Sequence, residues 1–366
     1  MNLKVKTFFG FLIAILSLLF ASDYFYTKFA FFANLFFAAF ASWQLASFVC
    51  YRFIVPTCLP KIDAKNKIVL VTGCDSGFGY LTAKALNKNG FKVVAGCLFP
   101  DGEGAQRLKV EVENVNEFEI VALNVTSDEH IDDAYRQIDH LIANGYELWG
   151  IVNNAGIGKL GEIEWGTFDE MYENIFKVNI NGVVKVTRKF LPLLRKSKGR
   201  IINVASMVGR FASPGMVPYC MSKHAVVAFS DGLRREMAKF DVDVINIEPS
   251  CYRTNITQIT IDQQMKIWRN TPENVRNDYG NQYNEKMFTF WSTLSRTICR
   301  NRPEDVADAI FESLTTAIPE PKFVCCSTIE RPIIALAHWL PLELIDSFFQ
   351  IALRSLETTA LKTKAN

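Results

Sequence analysis

The 366-residue sequence has only four histidines, no CxxC pair and no cluster at metal-ligand spacing, which excludes a zinc site; no other metal is expected. Charge of one sign is lacking too: 40 basic residues face 38 acidic ones, for a formal charge of +2. Without a run of like charge there is no nucleic-acid patch, so partners must be argued from sites. No internal repeat or low-complexity segment interrupts the chain. The nine cysteines, an odd number without paired spacing, read as reduced thiols in a cytosol-facing protein.

Apolar residues are what the chain has in excess. They make up 49% of it, with 29 phenylalanines, and the surplus lies at the N-terminus. Thr7–Ser22 and Phe29–Tyr51 are both free of charge. As a helix the second run would be roughly 35 Å long, more than the ~30 Å hydrocarbon core of a bilayer. Lys4 and Lys6 precede the first run, while Arg52, Lys61, Lys65 and Lys67 follow the second, which puts the main domain in the cytosol. Residues 1–60 are therefore expected to form a membrane anchor of one or two hydrophobic spans. The alternative is a buried helical pair in a soluble protein. The C-terminal Lys362–Asn366 looks like a lysine-based retrieval signal, so the endoplasmic reticulum membrane is the expected location.

From Lys67 the pattern changes. Ile68–Val71 is a short apolar run, as in a parallel strand buried on both faces. It enters Thr72-Gly73-Cys74-Asp75-Ser76-Gly77-Phe78-Gly79, then a helical stretch Tyr80–Asn89 and a second strand Phe91–Gly96. Glycines between strand and helix allow a tight turn and a close approach to a pyrophosphate, which the helix N-terminus attracts. Further strands are expected at Ile120–Leu123, Trp149–Val152, Ile201–Val204, Val242–Ile247 and near Phe323–Cys326, with helices between them. The alternation predicts an α/β fold with a doubly wound, seven-stranded parallel sheet of Rossmann type over residues 64–330.

The pattern TGxxxGxG at Thr72–Gly79 resembles the short-chain dehydrogenase/reductase family, and the family's other motifs follow in order. They are Asn153-Asn154-Ala155-Gly156, then Asn179, Ser206 and the YxxxK of Tyr219–Lys223. TGCDSGFG, Tyr219–Met237 and Glu248-Pro249 look most like the retinol and hydroxysteroid dehydrogenase branch. The resemblance implies an enzyme with Asn179, Ser206, Tyr219 and Lys223 as catalytic residues, Ser206 also binding substrate. It implies cofactor contacts from Gly73, Asp75, Ser76, Gly77, Phe78 and Gly79 in the first turn. Asn124, Val125, Asn154, Ala155 and Gly156 would follow the third and fourth strands, and Pro249, Tyr252 and Thr254 the sixth, beside Tyr219 and Lys223. Asn124 stands where the family usually has Asp for the adenine amino group; its carbonyl can accept the same hydrogen bond. Ser250 replaces a usual Gly.

The chemistry is consistent with those residue types. Tyr219 and Lys223, four apart on a helix, share one face. An ammonium there favours phenolate and turns a phenol of ordinary pKa about 10 into a usable base. Ser206 would hold the substrate oxygen, and Asn179 resembles the residue that keeps a water between lysine and solvent. No cation stands at Ser76 or Gly96-Cys97-Leu98 to meet a 2′-phosphate, so NAD is favoured and NADP is less expected; no ribose-binding acid is evident either.

Residues 255–300 are expected to build a substrate lid. Ile259, Met265, Trp268, Tyr279, Tyr283, Met287, Phe288, Phe290 and Trp291 suit a lipophilic small-molecule substrate such as a retinoid or sterol, or else simply pack the lid. Residues 331–366 read as a membrane-associated tail, in which Ile333–Leu353 lies on or dips into the bilayer; the alternative is an amphipathic helix of a homodimer. Two further functions stand beside the main one: a 3-hydroxybutyrate-type dehydrogenase, and a non-catalytic nucleotide-binding scaffold on a membrane.

Overall fold

A computed structural model describes residues 23–49, 61–328, 330–331, 334 and 340–356. The described residues fall into two units, one holding α1 (Asp23–Val49) and most of α11 (Leu342–Leu353), the other the rest. In the larger unit the strands are β1 (Lys67–Thr72), β2 (Lys92–Cys97), β3 (Phe118–Ala122), β4 (Glu147–Asn153), β5 (Arg200–Val204), β6 (Asp243–Pro249) and β7 (Lys322–Cys325). They form one sheet in the order β3-β2-β1-β4-β5-β6-β7, with every pairing parallel. The expected seven strands are present, shifted by a residue or two at their ends.

Alternation along β1 shows how the sequence builds both layers. Ile68 and Leu70 enter one core with Ile138, Val186, Phe190 and Leu233. These come from α4 (Asp128–Ala143), α5 (Val183–Ser197) and α6 (Val217–Met237). Val69 and Val71 point into the opposite core with Leu86, Leu108, Ile310 and Leu314. Those come from α2 (Gly77–Lys88), α3 (Glu103–Glu111) and α10 (Glu304–Thr315). A strand buried on both faces has no polar side to show, which is why β1, β2 and β4 read as continuous apolar runs. The order reverses between β1 and β4, and the crevice at the carboxyl ends of those strands is where such sheets bind ligands.

Between β4 and β5, residues 169–197 form one continuous helical path. Wide π turns, Asp169–Glu173 and Lys177–Gly182, flank Asn174–Phe176 and lead into α5. A π turn inserts an extra residue and rotates the helix beyond it, and Asn179 sits in one. The segment expected to build the lid is three helices, α7 (Asn255–Asn270), α8 (Glu273–Tyr279) and α9 (Asn281–Thr297).

Two expectations change. Among the described residues no helix is long and apolar enough to cross a membrane, so the expected spans find no support there. The run Thr7–Ser22 and the Lys362–Asn366 signal lie outside the described residues, and Ile333–Leu353 is described only in part. The cysteines are not all thiols either: Cys251 and Cys299, 48 residues apart, form a disulfide with a Cα–Cα distance of 4.5 Å. Such distant pairing has no sequence signal. It closes the neck of the lid, where Arg253 N donates to Arg300 O (2.9 Å) and Arg300 N to Cys251 O (2.8 Å).

Candidate active site

The turn after β1 is fastened before any ligand arrives. Thr72 Oγ1 accepts from the backbone N–H groups of Asn154 and Ala155 (3.0 Å each), and Asn154 Nδ2 donates to Thr72 O (2.8 Å) and Gly73 O (3.1 Å). Gly73 has φ +72°, and a Cβ there would lie 2.9 Å from Ala155 Cα, so only glycine lets the two loops meet. Gly77, φ +61°, opens α2 with Thr254 across from it, 3.8 Å from where its Cβ would be. The N-terminus of α2, the Asn154–Gly156 loop and the Pro249–Thr254 segment thus share the carboxyl edge of the sheet. This glycine-lined cradle fits a dinucleotide.

Asn124 and Val125 follow β3. Asn124 Oδ1 already accepts from Thr126 N (3.0 Å) and Thr126 Oγ1 (2.8 Å), so both carbonyl lone pairs hold its own turn rather than await an adenine amino group. Val125 is buried against Gly182. The rings of Phe78 and Tyr252 pack edge to face, 5.6 Å apart, which leaves their backbones for the cofactor. Ser76 precedes α2 with extended backbone and no capping hydrogen bond from its side chain. Ser250 donates from its backbone N–H to Cys325 O (2.8 Å) and from its hydroxyl to Glu330 (3.4 Å), so it is anchored on β7.

Asp75 is the residue whose role the sequence hid. Its two carboxylate oxygens accept from the backbone N–H groups of Leu98 and Phe99, 2.9 Å each, just past β2. The glycine turn thereby places a carboxylate just past the end of β2.

The four candidate catalytic residues converge. Asn179, almost fully buried, accepts from Ile157 N (2.8 Å) and donates to Ile157 O (2.9 Å) and Ser222 Oγ (3.0 Å). Lys223 is buried one turn beyond Tyr219, with its Nζ donating to Val204 O (2.9 Å) and lying 5.6 Å from the centre of the Tyr219 ring. A Cβ on Gly156 would stand 3.4 Å from Asn179 Oδ1 and 3.7 Å from Lys223 Nζ, so glycine keeps open the gap bordered by both. Ser206 Oγ accepts from Val208 N (3.3 Å) and donates to Pro249 O (3.4 Å), and the same hydroxyl lowers the pKa of the Tyr219 phenol.

Burial dominates the electrostatics. It raises the Tyr219 phenol to about 12, with the Cys220 thiol adding to the rise and the Ser206 hydrogen bond opposing it. It lowers the Lys223 ammonium to about 8. Desolvation works against the charged form of both groups, so a charge introduced beside either one is felt strongly.

The Cβ position of Gly158 would lie 3.7 Å from Tyr219 Cδ2 and 3.3 Å from Thr260 Oγ1 of α7. Gly215, just ahead of α6, faces Trp291 and Met287 of α9 at 3.4 and 3.8 Å. Trp268 and Met287 are buried with Trp165, Met171 and Ile267, with Tyr279, Tyr283 and Trp291 packed against them. Part of the lid's aromatic content is therefore its own core. Among the described residues no group of His, Cys, Asp or Glu could hold a metal.

A model of the short chain dehydrogenase family matches residues 67–265. The chain belongs to the short-chain dehydrogenase family. It is similar to the mitochondrial D-beta-hydroxybutyrate dehydrogenase of Rattus norvegicus, 38% identical over 268 residues that cover 71% of this chain and 77% of that one. Retinol dehydrogenase 16 of Rattus norvegicus is 36% identical, covering 78% and 88% of the two chains. The 17-beta-hydroxysteroid dehydrogenase type 6 of Homo sapiens is 38% identical, covering 71% and 80%. A short-chain dehydrogenase from Streptomyces avermitilis shares the fold, with a TM-score of 0.60 over 80% of this chain and 99% of that one at 24% identity. The resemblance to the retinol and hydroxysteroid dehydrogenase branch is thus borne out. The chain is an NAD(P)-dependent alcohol dehydrogenase of this family.

Proposed function

We propose that this short-chain dehydrogenase is a membrane-attached enzyme that oxidises a lipophilic alcohol, a hydroxysteroid or a retinoid, with NAD, reversibly. The observation that carries the reading is Tyr219 one turn from a buried Lys223, whose Nζ lies 5.6 Å from the centre of the Tyr219 ring, with the Ser206 hydroxyl lowering the phenol's pKa.

Tyr219 takes the hydroxyl proton. Ser206 orients the substrate oxygen toward it and stabilises the charge that develops there. The Lys223 ammonium supports the phenolate from the same helix face. The gap over Gly156, between Asn179 Oδ1 and Lys223 Nζ, has room for the water that passes the proton onward. The Gly73–Gly79 turn, Asn154–Gly156 and Pro249–Thr254 hold the cofactor. Bound nicotinamide supplies the hydride acceptor. The Asp75 carboxylate, fixed at the end of β2, is the negative charge that disfavours a 2′-phosphate and so selects NAD.

Membrane attachment is supported by α1, on which Phe29, Phe31, Phe32, Phe36, Phe37 and Trp43 are all more than half exposed. So many large apolar side chains left in contact with solvent favour an apolar surrounding. Leu342, Phe348 and Ile351 of α11 are exposed likewise and support a membrane-associated tail. The endoplasmic reticulum is the proposed membrane. The basic flanks favour a cytosolic catalytic domain, whereas the Cys251–Cys299 bond favours the oxidising lumen. Protease protection of sealed microsomes separates the two.

One observation favours a second reading, a short hydroxy acid such as 3-hydroxybutyrate. Lys159, beside Gly158 in the loop over Tyr219, is half-buried and hydrogen-bonded to the Gln263 amide, and burial lowers its pKa. Such a cation suits a carboxylate. The deciding experiment is NADH formation by membranes carrying the full chain with retinol, hydroxysteroids or 3-hydroxybutyrate, NADP run in parallel. Turnover of a retinoid or steroid with NAD supports the first reading; turnover of 3-hydroxybutyrate alone replaces it with the second. No turnover of any alcohol sinks both.

A further inference from the structure

Glu248 is a buried carboxylate that the chemistry above does not use. Its side chain is 2% exposed and that of its partner Arg210 22%. Oε1 alone accepts from Arg210 Nε (2.9 Å), Arg210 Nη2 (2.6 Å) and Asn246 Nδ2 (2.7 Å). An ion pair this deep is not explained by stability, because desolvating two charges offsets much of their attraction. Its placement offers a different reason.

Arg210 ends the tight turn that Ser206 begins. Gly209 N donates to Ser206 O (2.9 Å) and Arg210 N to Met207 O (3.0 Å), so the five residues move as one piece. The end of β6 grips that piece at both ends. At the front, Ala205 N donates to Ile247 O (2.8 Å) and Ser206 Oγ to Pro249 O (3.4 Å). At the back, Glu248, between those two residues in sequence, holds the Arg210 guanidinium. The turn's middle rests on α6: a Cβ on Gly209 would come within 2.8 Å of Lys223 O.

We propose that Arg210 and Glu248 are a positioning pair, which sets the Ser206 hydroxyl against Tyr219 by fixing the far end of the turn that carries it. This rests on the proposed role of Ser206. A planar guanidinium with two donors on one oxygen fixes direction as well as distance, which a single-point contact would not. Neither residue touches substrate, so neither is catalytic. A displacement near 1 Å at a reacting group can cost about 10²-fold in rate, and that is the scale expected when the pair is broken.

The test uses the full chain in membranes, with Glu248→Gln and with the double variant Arg210→Met/Glu248→Gln, which removes both charges and so guards against misfolding. Both variants are expected to bind NADH within about twofold of the parent while kcat falls at least about tenfold. The acid limb of the pH–rate profile should move to higher pH, because a displaced Ser206 no longer holds down the Tyr219 phenol. The other titratable groups facing that phenol, Lys223 and Cys220, are untouched. A merely structural pair would lower the unfolding midpoint and leave kcat and the profile in place. Folded variants with kcat within twofold of the parent overturn the proposal. If the parent itself turns over no alcohol, the proposed function has failed, and amide exchange of Val208–Arg210 judges the pair: faster exchange in Glu248→Gln supports the clamp, unchanged exchange refutes it.

Discussion

Lys223→Met should make the apo-protein more stable at neutral pH while removing its activity. In the folded chain burial brings the Lys223 ammonium from 10.5 to about 8, and the side chain is 5% exposed. Below pH 8 the lysine is charged in both states, and keeping it charged in the folded one costs about 3 kcal/mol. Methionine has similar length and no charge, so that cost disappears. Against it stands Val204 O, which loses its 2.9 Å donor at about 1–2 kcal/mol. The net gain is about 1–2 kcal/mol at pH 7, or several degrees in Tm for a domain of this size. The pH dependence identifies the cause. From pH 8 to 10.5 the unfolded lysine binds more protons than the folded one, so parent stability rises with pH there and the variant's advantage fades. The assay is urea unfolding of the full chain in detergent without cofactor, at pH 7 and near pH 10. A variant less stable than the parent at pH 7, or an advantage unchanged near pH 10, would refute the buried-cation account. In the same preparation turnover should fall about 10²-fold or more, since no cation is left to support the phenolate.

Asp75→Asn keeps an acceptor for one of the Leu98 and Phe99 amides, loses it for the other, and removes the charge at the end of β2. The ratio of kcat/KM with NAD to that with NADP should drop about tenfold, equivalent to about 1.4 kcal/mol; an unchanged ratio would place the discrimination elsewhere. Cys299→Ser opens a loop of 48 residues at the neck of the lid. Chain entropy puts the loss at about 2–4 kcal/mol of unfolding free energy, and treatment of the parent with dithiothreitol should reproduce it. Indifference to reductant would mean that the thiols are free in the native enzyme.

Those residues also mark where the sequence was legible. β1, β2 and β4 were readable because a strand covered on both faces can only be apolar, and the YxxxK spacing was readable because it lies within one helix. Asp75 was visible as a turn residue, but its target, the backbone after β2, is a contact across the sheet. Asn124 was read by analogy to an aspartate; its bonds to Thr126 depend on a turn conformation that no spacing declares. The Cys251–Cys299 pair and the Arg210–Glu248 pair join segments distant in sequence, brought together only when β6 and its neighbours assemble. Asn179 was legible by motif, yet the π turn that aims it at Ile157 had no signature, because its residues also fit an ordinary helix.

The most direct measurement is single-turnover NADH formation by Tyr219→Phe, beside the parent, with the best alcohol from the retinoid and steroid panel. Phenylalanine keeps the ring in place and removes only the hydroxyl that takes the proton. The account predicts unchanged NADH binding and unfolding midpoint, with the chemical step slowed about 10³-fold or more. A variant that forms NADH at the parent's rate would show that Tyr219 is not the base.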